Sequence, residues 1–164
     1  EHFDNLRTVH QAPLSGHWAS VLATSLGIFE AIRRRFAGSP EAKAAGLSKS
    51  AFGFTQAAGR CPNCKGSGGI SVQLDFLPDA RATCEQCQGR RYRNEVLACQ
   101  VQGRSIADVL DLSAQDALQE FQDDPAVARA LRLLCALGLG HLTLGRAAPT
   151  LSGGDAQRVR LARE

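Results

Sequence analysis

Two Cys-x-x-Cys pairs, Cys61-Pro62-Asn63-Cys64 and Cys84-Glu85-Gln86-Cys87, constrain what this chain can fold into more than any other stretch. The spacing puts two thiols on one face of a tight turn. Two such turns brought together offer four sulfurs in a tetrahedron, the arrangement that suits Zn2+. Each pair is followed by a glycine at the same offset, Gly66 after Cys64 and Gly89 after Cys87. Glycine there lets the chain double back so that backbone amides point at the sulfurs. Between the pairs, Gly69 to Pro78 alternates Ile70, Val72, Leu74 and Phe76, the period of a strand leading from one knuckle to the other. Disulfides are the competing use of these cysteines, but thiols this close within a turn pair poorly and nothing suggests secretion. A thioredoxin-like redox site needs one such pair, not two matched ones. Structural zinc on Cys61, Cys64, Cys84 and Cys87 is the expectation. Cys99 and Cys135 stand at apolar positions without partners and are expected in the core.

A chain of 164 residues has room for one domain, or one domain with a small metal module. Its charged and hydrophobic shares, 21% and 44%, are those of a globular protein rather than a disordered one. Aromatic residues make up only 5%, which leaves aliphatic helices and the metal as the sources of stability. No apolar run approaches the ~20 residues of a membrane span, and no signal peptide opens the chain. Reduced cysteines and that absence point to the cytoplasm and away from a membrane. The formal charge of +3, from which four zinc-bound thiolates remove two units, is too mild to establish nucleic-acid binding; only local clusters can do so. The sequence opens at Glu1 and closes at Glu164 within an expected helix, as a piece of a larger protein does.

Along the chain, Leu6 to His10 reads as a strand ended by Gln11-Ala12-Pro13. Val21, Leu22, Ile28, Phe29, Ile32 and Phe36 suggest a helix, at least from Gly27 on. Its last turn carries Arg33-Arg34-Arg35, where cations are favoured by the helix dipole, a reading that competes with phosphate binding. Ser39-Pro40-Glu41 is a helix start, and Gly46 a stop. Phe52 and Phe54 alternate as in a short strand. Asn94 to Val101 also alternates, with Val96, Ala98 and Gln100 on one face and Leu97, Cys99 and Val101 on the other, before Gly103 turns the chain back. Ser105 to Asp108 and Ser113 to Asp116 resemble N-terminal caps. The second should open a helix through Phe121, and Pro125 another with Val127, Leu131, Leu134 and Gly138 on one stripe.

The other informative stretch is Thr150-Leu151-Ser152-Gly153-Gly154-Asp155-Ala156-Gln157-Arg158. A serine and two glycines stand where a helix begins, so unobstructed amides and a hydroxyl lie at its positive end, which suits an anion. Leu-Ser-Gly-Gly followed by Asp-Ala-Gln-Arg resembles the signature motif of ABC ATPases. Further runs carry the resemblance along the chain: Phe52-Gly53-Phe54, Gly59-Arg60-Cys61, Phe76-Leu77-Pro78-Asp79, Cys84 to Tyr92, Ile106 to Asp111 and Leu137-Gly138-Leu139-Gly140. In order and spacing they resemble the UvrA family, the damage-recognition ATPases of bacterial excinuclease ABC.

The resemblance is to the second signature domain with its inserted zinc module. It implies an α+β chain in which a helical ABC signature domain carries a β-rich, four-cysteine zinc module. The divisions are 1–46 for the Q-loop and first helical part, 47–104 for the zinc module, and 105–164 for the helical part ending in the signature motif. By the same resemblance Leu151, Ser152, Gly153, Gly154, Asp155 and Gln157 face ATP held by an opposing nucleotide-binding domain, and Gln11 occupies the Q-loop position. Damaged double-stranded DNA, a UvrB-like excinuclease subunit and a homodimeric full-length protein are the implied partners. Lys49, Arg60, Lys65, Arg81, Arg90, Arg91 and Arg93 are the candidates to meet DNA phosphates; for Arg90 to Arg93 the alternative is a solvated edge balancing zinc–thiolate charge. The sequence holds no Gly-x-x-x-x-Gly-Lys-Ser/Thr loop and no apolar strand ending in an acidic pair. Hydrolysis of ATP with Mg2+ is therefore expected only of a full-length protein, not of this chain alone.

Three positions depart from the family pattern. Ser15 to Leu22 is apolar where the family has a polar, arginine-rich stretch; Ala51 replaces an arginine; and Asp155 replaces a glutamate. The first favours an alternative, a divergent UvrA-like drug-resistance or interaction protein with weak lesion binding. A second alternative is a zinc chaperone module of the DnaJ type, which Cys61 to Gly68 resembles. Arg91 in place of that module's later glycine, two knuckles instead of four, and the signature motif all argue against it.

Overall fold

The computed structural model describes residues 17–74 and 77–163. Gln11, the strand expected over Leu6 to His10, and Phe76 lie outside them. The helix expected from Val21 is two helices, α1 (Leu22–Ser25) and α2 (Phe29–Ala37), parted at Gly27 with φ +76°. Helix α2 buries Phe29, Ile32 and Phe36 along one face. Its arginines serve the body of the protein: Arg33 pairs with Glu30, and Arg35 bonds Asp123 at 2.9 Å and lies over the Phe121 ring. Helix α3 (Pro40–Ala44) starts as its sequence dictates, with the Ser39 hydroxyl accepting the Ala42 N–H and Pro40 in the first turn.

The expected strands differ from what forms. Residues Lys49–Phe52 make a 3-10 turn, which lets Phe52 and Phe54 both reach the core: Phe52 tilts against Phe36, and Phe54 stacks on Phe29 at 4.7 Å. The single strand expected between the knuckles is an antiparallel hairpin. In it β1 (Gly69–Leu74) reverses into β2 (Leu77–Thr83), with Ile70 opposite Ala82 and Val72 opposite Ala80. Ile70 and Val72 are 40% and 41% exposed, so neither is packed into the core. Asn94–Leu97 is a helical turn, α4, because the residues it must bury, Val96 and Cys99, are three apart. A short antiparallel pair follows, β3 (Gln100–Val101) and β4 (Arg104–Ser105), joined by Gln102 and Gly103, both at positive φ.

The second helical half follows its caps. Helices α5 (Ile106–Asp111) and α6 (Ala114–Glu120) start at Ser105 and Ser113, and α7 (Pro125–Ala136) starts at Asp124. Val127, Leu131 and Leu134 are buried on α7, but Gly138 lies past its end at φ +79°. There Gly138 N–H reaches Cys135 O and Leu139 N–H reaches Leu134 O, the glycine-dependent closure of a helix C-terminus. Helix α8 (Gly153–Arg163) packs on α7 and α1. One continuous core joins α1, α2 and α5 to α8 with Ala51, Phe52, Phe54, Tyr92 and Val96. The zinc insertion leaves this body through a narrow neck. Arg60 bridges Tyr92, Cys61 N–H donates to Arg91 O, and Arg93 N–H donates to Gly59 O. Among the described residues no helix is long and apolar enough to cross a membrane.

Ser105 and Asp108 form a reciprocal cap, and Arg90 joins it. The Asp108 carboxylate accepts from Ser105 N–H at 2.8 Å, from Ser105 Oγ–H at 2.7 Å and from Arg90 Nη2 at 2.8 Å. Burial alone raises this carboxyl, but the Ser105 hydroxyl and amide and the Arg90 guanidinium bring it below its ordinary value. A depressed carboxyl stabilises the fold above its unfolded pKa, ~3.9, and that contribution is lost as pH falls through the folded value. Asp108→Asn is expected to cost about 1 kcal/mol at pH 7. The gap from wild type should close below about pH 4. Urea unfolding of both proteins at each pH measures this, because any acid loss of metal is common to the pair.

Candidate functional site

The four cysteines converge. All four Sγ atoms lie within 4.8 Å of one another, with Cys61–Cys84 at 3.9 Å and Cys64–Cys87 at 3.6 Å, and all four residues are buried. A zinc ion with bonds of about 2.3 Å requires sulfur–sulfur edges of about 3.8 Å, while a disulfide requires about 2.05 Å. The donor set fits zinc. The two turns repeat one backbone shape: Lys65 and Gly66 have φ of 51° and 82°, and Gln88 and Gly89 have 49° and 82°. At Gly66 a side chain is excluded twice over, since a Cβ would also meet Phe54 O at 2.4 Å.

Hydrogen bonds reach the sulfurs from the neighbouring chain. Gly68 N–H donates to Cys64 Sγ at 3.3 Å, and Asn63 Nδ2 donates across to Cys84 Sγ of the other knuckle at 3.4 Å. Burial opposes ionisation of Cys84, yet hydrogen bonds from Cys87, Gln86 and Cys61 bring it down to about 7. Burial pushes Cys87 up to about 12 and raises Cys61. Binding a cation here expels protons, so metal affinity falls as pH falls. Asn63 gave no signal in the sequence, because its role depends on which sulfur the fold sets opposite it.

The seven candidate phosphate-binding residues divide into two groups. Arg90 is held by Ser105 and Asp108, and Lys49 pairs with Glu30, whose carboxyl Lys49 and then Arg33 hold down to about 2. Arg81 lies over the Trp18 ring at 4.2 Å and donates to Ser67 O and Gly69 O. Arg91 reaches Trp18 O, Gly66 O and Gly145 O, and Arg60 reaches Thr55 O. Lys65 and Arg93 are exposed, and of these only Arg93 has a hydrogen bond among the described residues, from Nε to Arg60 O.

At the second motif, Ala148–Thr150 is a 3-10 turn leading to Ser152, whose hydroxyl accepts the Asp155 N–H at 3.1 Å and so caps α8. Ser152, Gly153 and Gly154 are exposed, Leu151, Asp155 and Gln157 half-buried. The Ser152 hydroxyl, and then its amide and Arg158, hold the Asp155 carboxyl below its ordinary value against the effect of burial. A Cβ on Gly153 would meet nothing within 4 Å, and one on Gly154 only the Ser152 hydroxyl at 4.0 Å. Neither glycine has a positive φ. Packing among the described residues requires neither of them.

No family model matches the chain. Over all 164 residues it is 44% identical to UvrABC system protein A of Thermus thermophilus and 45% identical to that of Bacillus subtilis. It spans 17% of the length of each. The crystal structure of UvrA2 from Deinococcus radiodurans superposes with a TM-score of 0.90 at 43% identity, over 94% of this chain and 19% of that one.

Proposed function

From its end-to-end homology with one segment of the UvrA proteins, we propose that this chain is the signature-bearing, zinc-carrying part of a damage-recognition ABC ATPase of nucleotide excision repair. The observation that carries the nucleotide half of the reading is the pair Gly153 and Gly154. Glycine in a helix costs about 1 kcal/mol relative to alanine, and here neither backbone conformation nor packing among the described residues requires it. Close approach of a ligand from outside the chain would require it. Free amides at the start of an eleven-residue helix suit a phosphate. Ser152, Gly153 and Gly154 are thus placed to meet the γ-phosphate of ATP held with Mg2+ by an opposing domain of the full-length dimer. Asp155 closes the turn through its N–H to the Ser152 hydroxyl, and Leu151 and Gln157 flank it. The contribution is preorganised donors where charge develops, which is most of what phosphoryl transfer asks of a protein. Gln11, as the Q-loop glutamine, couples that site to the helical body.

The metal half rests on the four converging sulfurs. Among the described residues between Cys61 and Cys87, the only buried cluster is the four cysteines. Bound there, zinc supplies a structural cross-link between the knuckles. The insertion presents Lys65 and Arg93 to duplex DNA without base reading, which suits a protein that must find damage anywhere. A UvrB-type excinuclease subunit is the partner that acts next. The apolar stretch from Trp18 to Leu22 is explained by packing, since Ala19, Val21 and Leu22 are buried in the main core, and it does not favour a separate drug-resistance role. End-to-end homology sets the chaperone reading aside.

Duplex binding by the zinc-replete chain over a salt series tests the DNA claim. Affinity should fall steeply with salt, and alanine at both Lys65 and Arg93 should lower the slope by about 1 for each phosphate no longer neutralised. No binding at low salt from a folded, zinc-replete sample removes DNA from this part of the protein.

A further inference from the structure

Arg91 is tied to more of the molecule than its place in an Arg-Arg-Tyr-Arg run foretells. Its carbonyl accepts Cys61 N–H at 2.8 Å, and its φ is 72°. A left-handed residue other than glycine persists only where its surroundings enforce it. Nη1 donates to Trp18 O at 3.2 Å and Gly66 O at 3.3 Å, Nη2 donates to Gly145 O at 3.3 Å, and the guanidinium lies 5.2 Å from the Phe54 ring centroid. None of the three acceptors is a carboxylate. Burial correspondingly lowers the guanidinium's pKa.

The acceptors belong to three parts of the fold. Gly66 is in the first knuckle, Trp18 lies just before α1, and Gly145 lies in the segment that leads to the signature turn. That segment is pinned on both sides of Gly145: Gly145 N–H to Leu110 O, Leu22 N–H to Arg146 O, and Ala148 N–H to Ser20 O. From Ala148 a single 3-10 turn reaches Ser152. We propose that Arg91 is the positioning residue through which metal occupancy of the four cysteines fixes residues 144–150, and with them the signature turn. The inference rests on the zinc reading above. Without metal the knuckles part, the bond from Cys61 that holds the left-handed backbone loosens, and the guanidinium leaves Gly145. Arg81, stacked on Trp18 and bonded to Ser67 O and Gly69 O, is a second strut across the same junction. Trp18 is the only tryptophan, so its emission reports on this junction alone.

The test compares wild type with Arg91→Lys, which keeps the charge but lacks the planar fork, by hydrogen exchange, Trp18 fluorescence and zinc content before and after chelation. In wild type, chelation should speed exchange at Leu22, Gly145 and Ala148 by about tenfold and shift the Trp18 emission, while α6 and α7 keep their protection. In zinc-loaded Arg91→Lys the same three amides should already exchange fast, and chelation should add nothing. Slow exchange in zinc-loaded Arg91→Lys, or an equal response to chelation in both proteins, overturns the proposal. The wild-type arm needs no variant: a zinc-loaded chain whose amides at 144–150 ignore chelation overturns it alone. A wild-type chain that takes up no zinc overturns the metal reading and this inference with it.

Discussion

Cys84→Ser is expected to abolish stoichiometric zinc and to unfold the insertion while leaving the helical body folded. Cys84 is fully buried, sits 3.9 Å from Cys61 Sγ and accepts the Asn63 amide, so its loss removes a ligand and orphans a donor together. Structural zinc sites of this kind contribute on the order of 10 kcal/mol of apparent binding energy at neutral pH, and that energy is folding energy. Among the described residues between Cys61 and Cys87 no other buried cluster replaces it. The insertion's hairpin exposes Ile70 and Val72, its buried cluster is the four cysteines, and the neck bonds at Gly59 to Arg93 close its base without filling its interior. The body, by contrast, has its own continuous core, to which none of the four cysteines belongs. Zinc content after dialysis against a weak chelator should fall from one per chain to none, and the amide of residue 84, which bonds Gly68 O, should lose its protection. Far-ultraviolet circular dichroism should retain its helical shape. Cys99→Ser and Cys135→Ser are the controls and should keep their zinc, since both sulfurs lie outside the cluster. Retention of full zinc by Cys84→Ser, or collapse of the helices with the insertion, contradicts the account.

What the sequence disclosed and what it hid divide along one physical line. Features set by neighbours in the chain were legible. The caps at Ser39, Ser105 and Ser113, the glycine after each Cys-x-x-Cys pair, and Gly103 at its turn all act within four residues of themselves. Short alternations misled where burial, not pairing, decides conformation. Asn94 to Val101 alternates like a strand, but Val96 in the helical turn α4 and Cys99 just past its end, three residues on, both enter the core. Phe52 and Phe54 face one core across a 3-10 turn. The arginines of the insertion show the same limit. By sequence Arg91 is a charge beside a zinc knuckle; its acceptors at Trp18 and Gly145 stand far off on both sides, where no local pattern marks a carbonyl as awaiting a guanidinium.

Gly59→Ala is expected to destabilise the chain by about 3 kcal/mol or more. Its backbone needs no left-handed conformation, so the expectation rests on space alone. A Cβ at Gly59 would sit 1.7 Å from Ala51 O and 2.6 Å from Ala51 C, inside any tolerable approach. Neither side of that junction can give. Ala51 is 2% exposed within the 3-10 turn that places Phe52 against Phe36, and Gly59 O holds the Arg93 N–H at 2.9 Å across the neck. Withdrawing Gly59 drags that bond, the Arg60–Tyr92 bridge and the buried Tyr92 hydroxyl from Phe52 O. An interior packed to this density answers a new methyl with strain or with a lost hydrogen bond, not with a small shift. Two glycines calibrate the effect. Gly103→Ala meets no atom within 4 Å and bears only its positive φ, so it should cost about 1 kcal/mol. Gly153→Ala meets nothing and is helical, so it should stabilise the isolated chain by about 0.5–1 kcal/mol. Urea unfolding of the three variants against wild type should return that order. A Gly59→Ala protein as stable as Gly103→Ala would mean that the neck yields, and that the insertion is not clamped to the body where Ala51 and Gly59 meet.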